Sequence, residues 1–449
     1  MIINIYSDPS NRSKTGLAEI RLEFPDLNVR QILDLPFDNL YTRCRVADLI
    51  TLDFLLIASI CYVIDKTVPR KFALDNWTRD FEVVIPVSEP DLWNGVSNLF
   101  SEALSFLSGD IWQLSFFKPK EPIFINTITK RKHRKKVSSF ITPSATCLFS
   151  GGLDSLAGAI DLLAQDENTK IILVGHYDTA GPASSQKELF VAIKSEYPQR
   201  TELLQTRISH KPRPASEMTL RSRSLVFIAL GLYVTRAFGK EVPLYAPENG
   251  LIAINVPLTP SRVGSCSTRT MHPHFLSKIT SVLKKVGIIN PIINPFQLKT
   301  KGECIVECNN FTLLASLVNM SISCSHPTRR RYWQQKQAKN CGYCIPCLIR
   351  RTSLHAAGLD NGLLYGLDIC AGQLKINSSL SITNDLRALC SFLGMNKSNV
   401  ELEKMITSVV SVKALTQYGA MLERGFNEIR AWLQNNASLE IKEAAGLIN

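Results

Sequence analysis

The hydrophobic positions near the N-terminus alternate between helical and strand spacing. Residues 47–66 are almost continuously apolar with acidic residues at intervals, which predicts a helix inside a hydrophobic core. Residues 81–87 and 111–117 predict strands. The helical spacing of residues 91–107 predicts a helix capped by Asp91. The pattern indicates an α+β arrangement in which no motif of known chemistry is visible.

From residue 146 onwards the pattern changes to alternating strands and helices. Residues 170–176 form a continuous apolar run, as expected for a strand inside a parallel sheet. The same reasoning predicts strands at 146–149, 203–208 and 242–246 and helices at 156–164, 185–197 and 223–238. The alternation predicts an α/β domain with a doubly wound parallel sheet. Beyond residue 359 the spacing is helical and carries no motif.

The chain of 449 residues is long enough for two or three domains with separate cores. We predict an N-terminal α+β domain (1–127), a basic linker (128–145), an α/β domain (146–360) and a helical C-terminal region (361–449). A hydrophobic content of 45% excludes a disordered chain.

The net charge of +12 favours an anionic partner such as nucleic acid, a nucleotide or an acidic protein. Half of this surplus comes from the run KRKHRKK at residues 130–136, inside the basic linker. Like charges at this density resist packing, so the run is typical of a solvated tether. A contact with nucleic-acid phosphates is the alternative.

No apolar stretch in the sequence is long enough to predict a membrane span. The longest run, Phe54–Ile64, is bracketed by Asp53 and Asp65 and falls well short of the roughly 20 residues that a span requires. The N-terminal residues show no signal peptide pattern. The 12 cysteines are too few for a disulfide scaffold in a chain of this length. These features predict a soluble cytoplasmic protein.

The first motif with a chemical meaning is SGGLDS at residues 150–155, between a predicted strand and a predicted helix. Glycines let the backbone approach a phosphate closely, and amides at the start of a helix point towards an anion. Ser150 and Ser155 can donate hydrogen bonds to phosphate oxygens. Asp154 would repel a bare phosphate and is better suited to hold Mg²⁺ or to orient the loop. A plain strand-to-helix turn is the alternative.

The second motif is a cysteine cluster, in which the sequence CGYCIPC follows one more distant cysteine. Its members are Cys324, Cys341, Cys344 and Cys347. Two thiolates three residues apart can bind one metal ion, and a thiolate from a distant loop completes a tetrahedron. Four soft donors select Zn²⁺, or less often an iron–sulfur cluster, and leave no open position, so the predicted site is structural. Free buried thiols are the alternative. The remaining cysteines lack ligand spacing and are predicted to be core or surface thiols.

The SGGLDS sequence resembles the SGGxDS motif of PP-loop ATP pyrophosphatases, which adenylate a substrate with ATP and release pyrophosphate. In that family the loop grips the pyrophosphate; by resemblance this function falls to Ser150, Gly151, Gly152, Asp154 and Ser155. With the cysteine pattern, the resemblance narrows to the QueC-like family of 7-cyano-7-deazaguanine synthases. Arg223-Ser224-Leu225 and Thr300-Lys301-Gly302-Glu303 resemble that family's R-N-L and T-K-A-E segments, although Ser224 replaces the asparagine.

The chain also departs from the short synthases. Long segments precede and follow the similar part, which covers about residues 146–360. The family's D-Y-G-Q-R-H is replaced by His176-Tyr177-Asp178 with Gln186 further on, and residues 248–273 differ as well. These features resemble the QueC-like proteins of bacterial defence operons, among them the QatC proteins of the Qat anti-phage system. The substrate pocket is therefore the part that transfers least.

The resemblance implies an ATP-dependent carbon–nitrogen ligase that forms AMP and pyrophosphate. A carboxylate like that of 7-carboxy-7-deazaguanine is adenylated, and ammonia or a protein amine displaces AMP to give an amide, a nitrile or a protein conjugate. ATP, Mg²⁺ and Zn²⁺ are the expected cofactors, and partner proteins from the same operon are expected. The expected catalytic residues are Asp154, Ser155, Arg223 and Lys301, the last two as cationic clamps on the transferring phosphoryl group.

Two other functions remain open on the sequence. The chain could be a non-catalytic nucleotide-binding adaptor of a defence complex, or a PP-loop enzyme that modifies tRNA or DNA. Arg262, Arg269 and His272 lie in a polar segment and could bind an acidic substrate, with ordinary loop solvation as the alternative.

Overall fold

The computed structural model of the protein describes the chain apart from residues 128–141, 213–216, 218, 220, 260–268, 270, 326–329, 373–374, 379, 409 and 449. Most of the predicted basic linker, including the KRKHRKK run, lies outside the described residues. The same holds for Arg262 and Cys266.

The first sheet has six strands among the described residues and mixes parallel with antiparallel pairs. The strands are β1 (Ile2–Arg12), β2 (Ala18–Phe24), β3 (Val29–Asp34), β4 (Asp80–Pro86), β5 (Ile111–Phe117) and β9 (Ser209–Lys211). Their order across the sheet is β5-β4-β1-β2-β3-β9, with β4 parallel to β1 and β5 and the other pairs antiparallel. Strands β4 and β5 confirm the two predicted strands.

The hairpin at the N-terminus is absent from the sequence prediction. The second half of β1 contains Pro9 among polar residues, a composition that is typical of turns. In the structure, the pairing of β1 with β2 shifts its register between Asp8 and Arg12. Irregularities of this kind tolerate proline in a strand. The hairpin therefore forms without a clean alternation of apolar and polar positions.

The second sheet has five strands among the described residues, and every pair is parallel. The strands are β6 (Ala145–Leu148), β7 (Ile171–His176), β8 (Thr201–Thr206), β10 (Leu244–Tyr245) and β11 (Ile292–Ile293). Their spatial order is β11-β10-β6-β7-β8, so the chain runs outwards in one direction from β6 and later returns to its other side. The predicted parallel sheet is confirmed.

Helices connect and cover the two sheets. They are α1 (Phe37–Cys44), α2 (Leu49–Thr67), α3 (Pro90–Asn94), α4 (Ser97–Ser108), α5 (Leu153–Gln165), α6 (Ala180–Glu196), α7 (Arg223–Arg236), α8 (Gly250–Ile254), α9 (Pro273–Lys285), α10 (Lys301–Val306), α11 (Phe311–Leu317), α12 (Ile345–Ala356), α13 (Asn384–Gly394), α14 (Asn399–Ile406), α15 (Leu415–Asn436) and α16 (Leu439–Ala444). Among the helices of the described residues, none has both the length and the apolarity of a membrane span.

Helix α2 confirms the predicted core helix and is buried on nearly every side. The single helix predicted over residues 91–107 is wrong, because α3 and α4 are separate. Val96 leaves the helical backbone with φ −123° and ψ 3°, and Trp93 is drawn into the core, where its ring stacks on Phe54. Asp91 lies inside the first turn of α3, which begins at Pro90, and does not cap the helix.

The second sheet is buried on both faces. On β7, Ile172 and Val174 belong to the same hydrophobic core as the first sheet, α2 and α7, whereas Ile171 and Leu173 belong to a second core beneath α5 and α6. The residues of the predicted 1–127 domain thus share one core with part of the α/β region. Strand β9 adds to this connection because it extends the first sheet.

A third core joins the cysteine motif to the C-terminal helices. It contains Cys341, Cys344 and Cys347 together with Leu386 of α13 and Trp432 of α15. The helical prediction for the C-terminal region is confirmed by α13–α16.

Candidate functional site

The loop of residues 150–155 connects the end of β6 to the start of α5, as its sequence predicts. Gly151 has φ +80°, a backbone conformation that favours glycine, and α5 begins directly after Gly152. The two serine hydroxyls face each other, with Ser150 Oγ 3.1 Å from Ser155 Oγ. Ser150 Oγ also accepts a hydrogen bond from the Gly152 amide at 3.2 Å. The loop is therefore held by its own side chains in a tight turn at a helix start.

This loop lies where the order of the parallel sheet reverses. From β6 the chain continues to β7 on one side of the sheet, whereas from β10 it continues to β11 on the opposite side. Ligands of open α/β sheets bind at such a reversal point, beyond the carboxyl ends of the strands. A cleft with a volume of about 210 Å³ lies there. Ser150, Ser155, Arg223, Phe227 and Glu248 are among the residues that line it. The structure thus brings the predicted loop and the predicted Arg223 into one cleft.

Asp154 is the centre of a polar cluster beside this loop. Its Oδ2 atom accepts hydrogen bonds from Asn249 Nδ2 at 2.9 Å and from Lys301 Nζ at 3.0 Å. Its Oδ1 atom is buried and has no hydrogen-bond partner. A buried carboxylate oxygen without a partner suits a hard cation such as Mg²⁺. Asp154 and Lys301, both predicted from motifs, therefore meet in space.

Lys301 is buried and is held in place by residues around the start of α10. Thr300 and Glu303 form a capping box, which the T-x-x-E pattern of the sequence signals. Glu428 of α15 accepts hydrogen bonds from the Thr300 hydroxyl and from the Gly302 amide. The C-terminal region thus contributes to the position of Lys301, a role that no sequence signal indicated.

Arg223 is the first residue of α7 and is held by three groups. Its Nη2 donates to the His176 carbonyl at 3.2 Å, and its Nε lies 3.3 Å from Asp178 Oδ2. Its guanidinium lies 5.1 Å from the centre of the Phe227 ring, a cation–π contact. The cation is therefore fixed at the rim of the cleft, with about a fifth of its side chain exposed.

Gln186 connects the loop at residues 150–155 to the neighbouring strand β7. Its Nε2 donates to the Ser150 carbonyl at 3.1 Å and to the His176 carbonyl at 3.2 Å, and Gln205 donates to its Oε1. The side chain is fully buried. Sequence analysis noted Gln186 only as a departure from the family, because nothing local indicates a contact between two strand ends.

The four predicted metal ligands come together in the structure. The Sγ atoms of Cys324, Cys341, Cys344 and Cys347 all lie within 4.8 Å of one another. Tetrahedral zinc with Zn–S bonds of about 2.3 Å requires S–S separations of about 3.8 Å. The Cys341–Cys347 and Cys324–Cys344 separations are 3.7 and 4.0 Å. The cluster could therefore hold a metal such as zinc, and spacing this compact suits a single ion.

The backbone around the cysteines supports thiolate ligands. Amides of Tyr343 and Cys344 donate to Cys341 Sγ at 3.5 and 3.4 Å. Cys344 directly precedes α12, so the positive end of the helix dipole favours its thiolate. Gly342 makes the turn with φ +88°, and an added Cβ would lie 2.2 Å from the Leu367 carbonyl oxygen. This position accepts only glycine.

The segment before Cys324 links the cysteine cluster to the loop at 150–155. The Ile322 amide donates to the Gly151 carbonyl at 2.9 Å, and Ser323 Oγ accepts from the Leu153 amide at 3.4 Å. Buried Arg350 of α12 donates to Ser323 Oγ at 3.3 Å. The segment that leads to the cysteine cluster and helix α12 thus stabilise the loop at 150–155 through hydrogen bonds.

Comparisons with protein-family models, curated proteins and solved structures gave no match for this chain. The resemblance to the QueC-like family therefore stays a prediction that rests on the sequence motifs.

Other residues named from the sequence have contacts of their own. Arg269 donates to the Phe106 carbonyl at 2.6 Å and stacks on its ring. His272 Nδ1 accepts from the His274 amide at the start of α9, and burial lowers its pKa to about 3. The described cysteines outside the cluster are buried. Arg269 and His272 thus have structural contacts, and their predicted substrate binding is untested.

Glu248 is a site residue that sequence analysis missed. It follows β10 at the reversal point and accepts from the Met271 amide at 3.3 Å. Burial, and then the charge of Asp154, raises its pKa to about 8, while Lys301 acts in the opposite direction. The sequence contained a signal for this residue, because Glu248 is an acidic residue that follows a predicted strand at the carboxyl edge of the predicted sheet.

We expect Glu248→Gln to flatten the dependence of thermal stability on pH. A carboxyl whose folded-state pKa is raised contributes stability that is present below its unfolded pKa and is lost as pH rises through about 8. The unfolding temperature of the wild type should therefore fall relative to Glu248→Gln between pH 6 and pH 9, measured by calorimetry. Glu307→Gln, which changes an exposed glutamate, is the control. Parallel curves for wild type and Glu248→Gln would contradict the expectation.

Proposed function

We propose that this chain is an ATP-dependent ligase that activates a carboxylate as its adenylate and transfers the acyl group to nitrogen. The observation that carries the proposal is that Ser150 and Ser155 line one cleft with Arg223, while Asp154 of the same loop pairs with Lys301. Loops of this kind at a helix start favour anions, and two cations beside it suit a reaction that builds negative charge on phosphoryl oxygens.

The proposed reaction has two steps. A carboxylate oxygen of the substrate attacks the α-phosphorus of ATP, the bond to the β-phosphate oxygen breaks, and pyrophosphate leaves. A nitrogen nucleophile then attacks the acyl carbon, AMP leaves with the carboxylate oxygen, and the nitrogen loses a proton to form the amide. In the nitrile form of the proposal, the amide oxygen attacks the α-phosphorus of a second ATP and pyrophosphate leaves; AMP then departs with that oxygen, and the nitrogen loses its two protons to form the nitrile.

Each candidate residue has a distinct part in this proposal. Amides of the loop and the hydroxyls of Ser150 and Ser155 hold the pyrophosphate. Lys301 and Arg223 offset the charge that develops during transfer. Asp154 would hold the Mg²⁺ that accompanies ATP, and that ion would supply Lewis-acid polarisation of the phosphates.

The substrate is proposed to be a flat heterocyclic acid such as 7-carboxy-7-deazaguanine. Phe227 and Met271 give the cleft apolar surface of the kind that packs against an aromatic ring. The identity of this acid, a role in anti-phage defence and the presence of partner proteins rest on the family resemblance. The metal held by the four cysteines is assigned a structural part, since four thiolates leave no open position.

The experiment is incubation of the full chain with ATP, ammonium and 7-carboxy-7-deazaguanine, followed by mass spectrometry. We expect AMP, pyrophosphate and the amide or nitrile. Asp154→Asn and Ser155→Ala should abolish AMP formation, whereas Asp161→Asn, on the outer part of the same helix α5, should leave it unchanged.

Undiminished AMP release by both site variants would overturn the proposal. Binding of ATP without AMP release, over a set of candidate acids and amines, would favour the nucleotide-binding adaptor.

A further inference from the structure

Helix α2 of the N-terminal sheet region reaches the rim of the candidate cleft. It packs against α7, which begins with Arg223. Tyr62 and Asp65, one turn apart on α2, are both nearly inaccessible to solvent. Asp65 contacts Ser222, the residue before Arg223, and Tyr62 contacts Asp178, the carboxylate that pairs with Arg223.

Asp65 fixes the backbone at the start of α7. Its Oδ2 accepts from the Ser222 amide at 3.2 Å and from the Ser222 hydroxyl at 2.5 Å. Ser222 is the residue directly before Arg223. The other oxygen of Asp65 lies 2.5 Å from Arg79 Nη2, so the carboxylate is itself held by a buried cation. Helix α2 thus fixes the position of the backbone from which the Arg223 side chain extends.

Tyr62 fixes the orientation of Asp178, the carboxylate that pairs with Arg223. Its hydroxyl donates a hydrogen bond to Asp178 Oδ1, while Asp178 Oδ2 pairs with Arg223. Burial, and then the charge of Asp178, raises the pKa of Tyr62 well above its ordinary value. The hydroxyl therefore keeps its proton and stays a donor. The two oxygens of Asp178 are divided between the two partners, which restricts rotation of the carboxylate.

A third contact holds the backbone that Arg223 touches. The His176 ring lies between the rings of Tyr62 and Phe227, with centroids 5.8 and 5.6 Å away and edge-to-face geometry. Burial, and then the charge of Arg223, lowers the pKa of His176 to about 4, so the ring is neutral. The His176 carbonyl accepts from Arg223 Nη2.

We propose that α2 positions Arg223 for the adenylation reaction, with Tyr62 acting through Asp178 and Asp65 acting through Ser222. An arginine side chain has many rotamers to lose when it is fixed, and a cation stabilises a transition state best when it is oriented before the reaction. The helix provides this orientation from outside the α/β region. The inference rests on the proposed function and assigns a task to the N-terminal region, for which no motif gave one.

Two measurements test the inference. The first is the rate at which phenylglyoxal, an arginine-selective reagent, modifies Arg223, followed by peptide mass spectrometry with exposed Arg30 as the reference site. We expect Tyr62→Phe and Asp178→Asn to increase the rate several-fold. The control is Ser59→Ala, which removes another buried hydroxyl of α2 whose hydrogen bond stays within the helix.

The second measurement is AMP formation in a double-mutant cycle. Tyr62→Phe should lower kcat about tenfold or more with a smaller change in KM, because misplaced catalytic groups cost rate. In an Arg223→Ala background, Tyr62→Phe should have almost no further effect. A merely structural role of Tyr62 would give additive losses.

An unchanged modification rate in Tyr62→Phe would overturn the inference, whatever the activity. A faster rate with unchanged kcat, or additive losses in the cycle, would overturn it as well. If the wild type forms no AMP with any substrate, the proposed function fails, and the modification rates still decide whether α2 positions Arg223.

Discussion

Replacement of Cys344 by alanine is expected to abolish metal binding by the four-cysteine cluster and to unfold the third core. The four thiols approach one another within 4.8 Å, three of them buried. They share their hydrophobic core with helices α13 and α15. Structural zinc contributes on the order of 10 kcal/mol to the folding of small zinc domains. Loss of even part of this should lower the unfolding temperature by about 10 °C or more.

The measurement combines metal analysis by mass spectrometry with calorimetry. We expect one zinc per wild-type chain and none in Cys344→Ala. Cys390→Ala is a matched control because it removes a buried thiol of the same core that lies outside the ligand set. A metal-free wild type, or equal destabilisation by the two variants, would contradict the expectation. Strong visible absorption would indicate an iron–sulfur centre instead of zinc.

Loss of the expected metal should also affect the loop at 150–155. Ile322 and Ser323, just before Cys324, hydrogen bond to the loop at 150–155. If Cys324 no longer binds a metal, the backbone of Ile322 and Ser323 is less restrained, and their hydrogen bonds to the loop weaken. Under the proposed function, Cys344→Ala should therefore bind ATP more weakly than Cys390→Ala.

Lys301→Met is expected to lower AMP formation by about 100-fold or more under the proposed function. The substitution keeps the length of the side chain but removes the cation beside Asp154, and loss of one such electrostatic contact typically costs about 10²–10³ in rate. It also leaves the partly buried Asp154 carboxylate with one partner fewer, which should destabilise the fold by about 1–3 kcal/mol.

The two effects of Lys301→Met can be separated. Lys299→Met removes a lysine of the same segment that pairs with Glu307 at the surface, so it should leave activity unchanged. The double variant Asp154→Asn/Lys301→Met removes both charges, and it should recover stability without recovering activity. Full activity in Lys301→Met, measured as AMP formation, would exclude Lys301 from the reaction.

The local parts of this protein could be predicted from its sequence. Their nearly continuous apolar runs predict α2 and the buried strand β7, because such a run is stable only in an element that is buried on nearly every side. The SGGLDS pattern predicts a turn between a strand and a helix, and the cysteine spacing predicts a cluster of thiols. Each of these depends on residues within a few turns of chain.

The contacts of the candidate site were decided by the tertiary structure. Lys301 and Asp154 are 147 residues apart, and Tyr62 and Asp178 are 116 residues apart. Nothing in a period or a spacing determines which charged side chains meet across such distances, since that depends on how whole helices pack. The sequence by itself thus determined the glycine-containing turn at 150–155 and the cluster of four thiols. Only the packing of α2 against α7, and of α15 against α10, decided how the N-terminal and C-terminal regions hold Arg223 and Lys301 beside that loop.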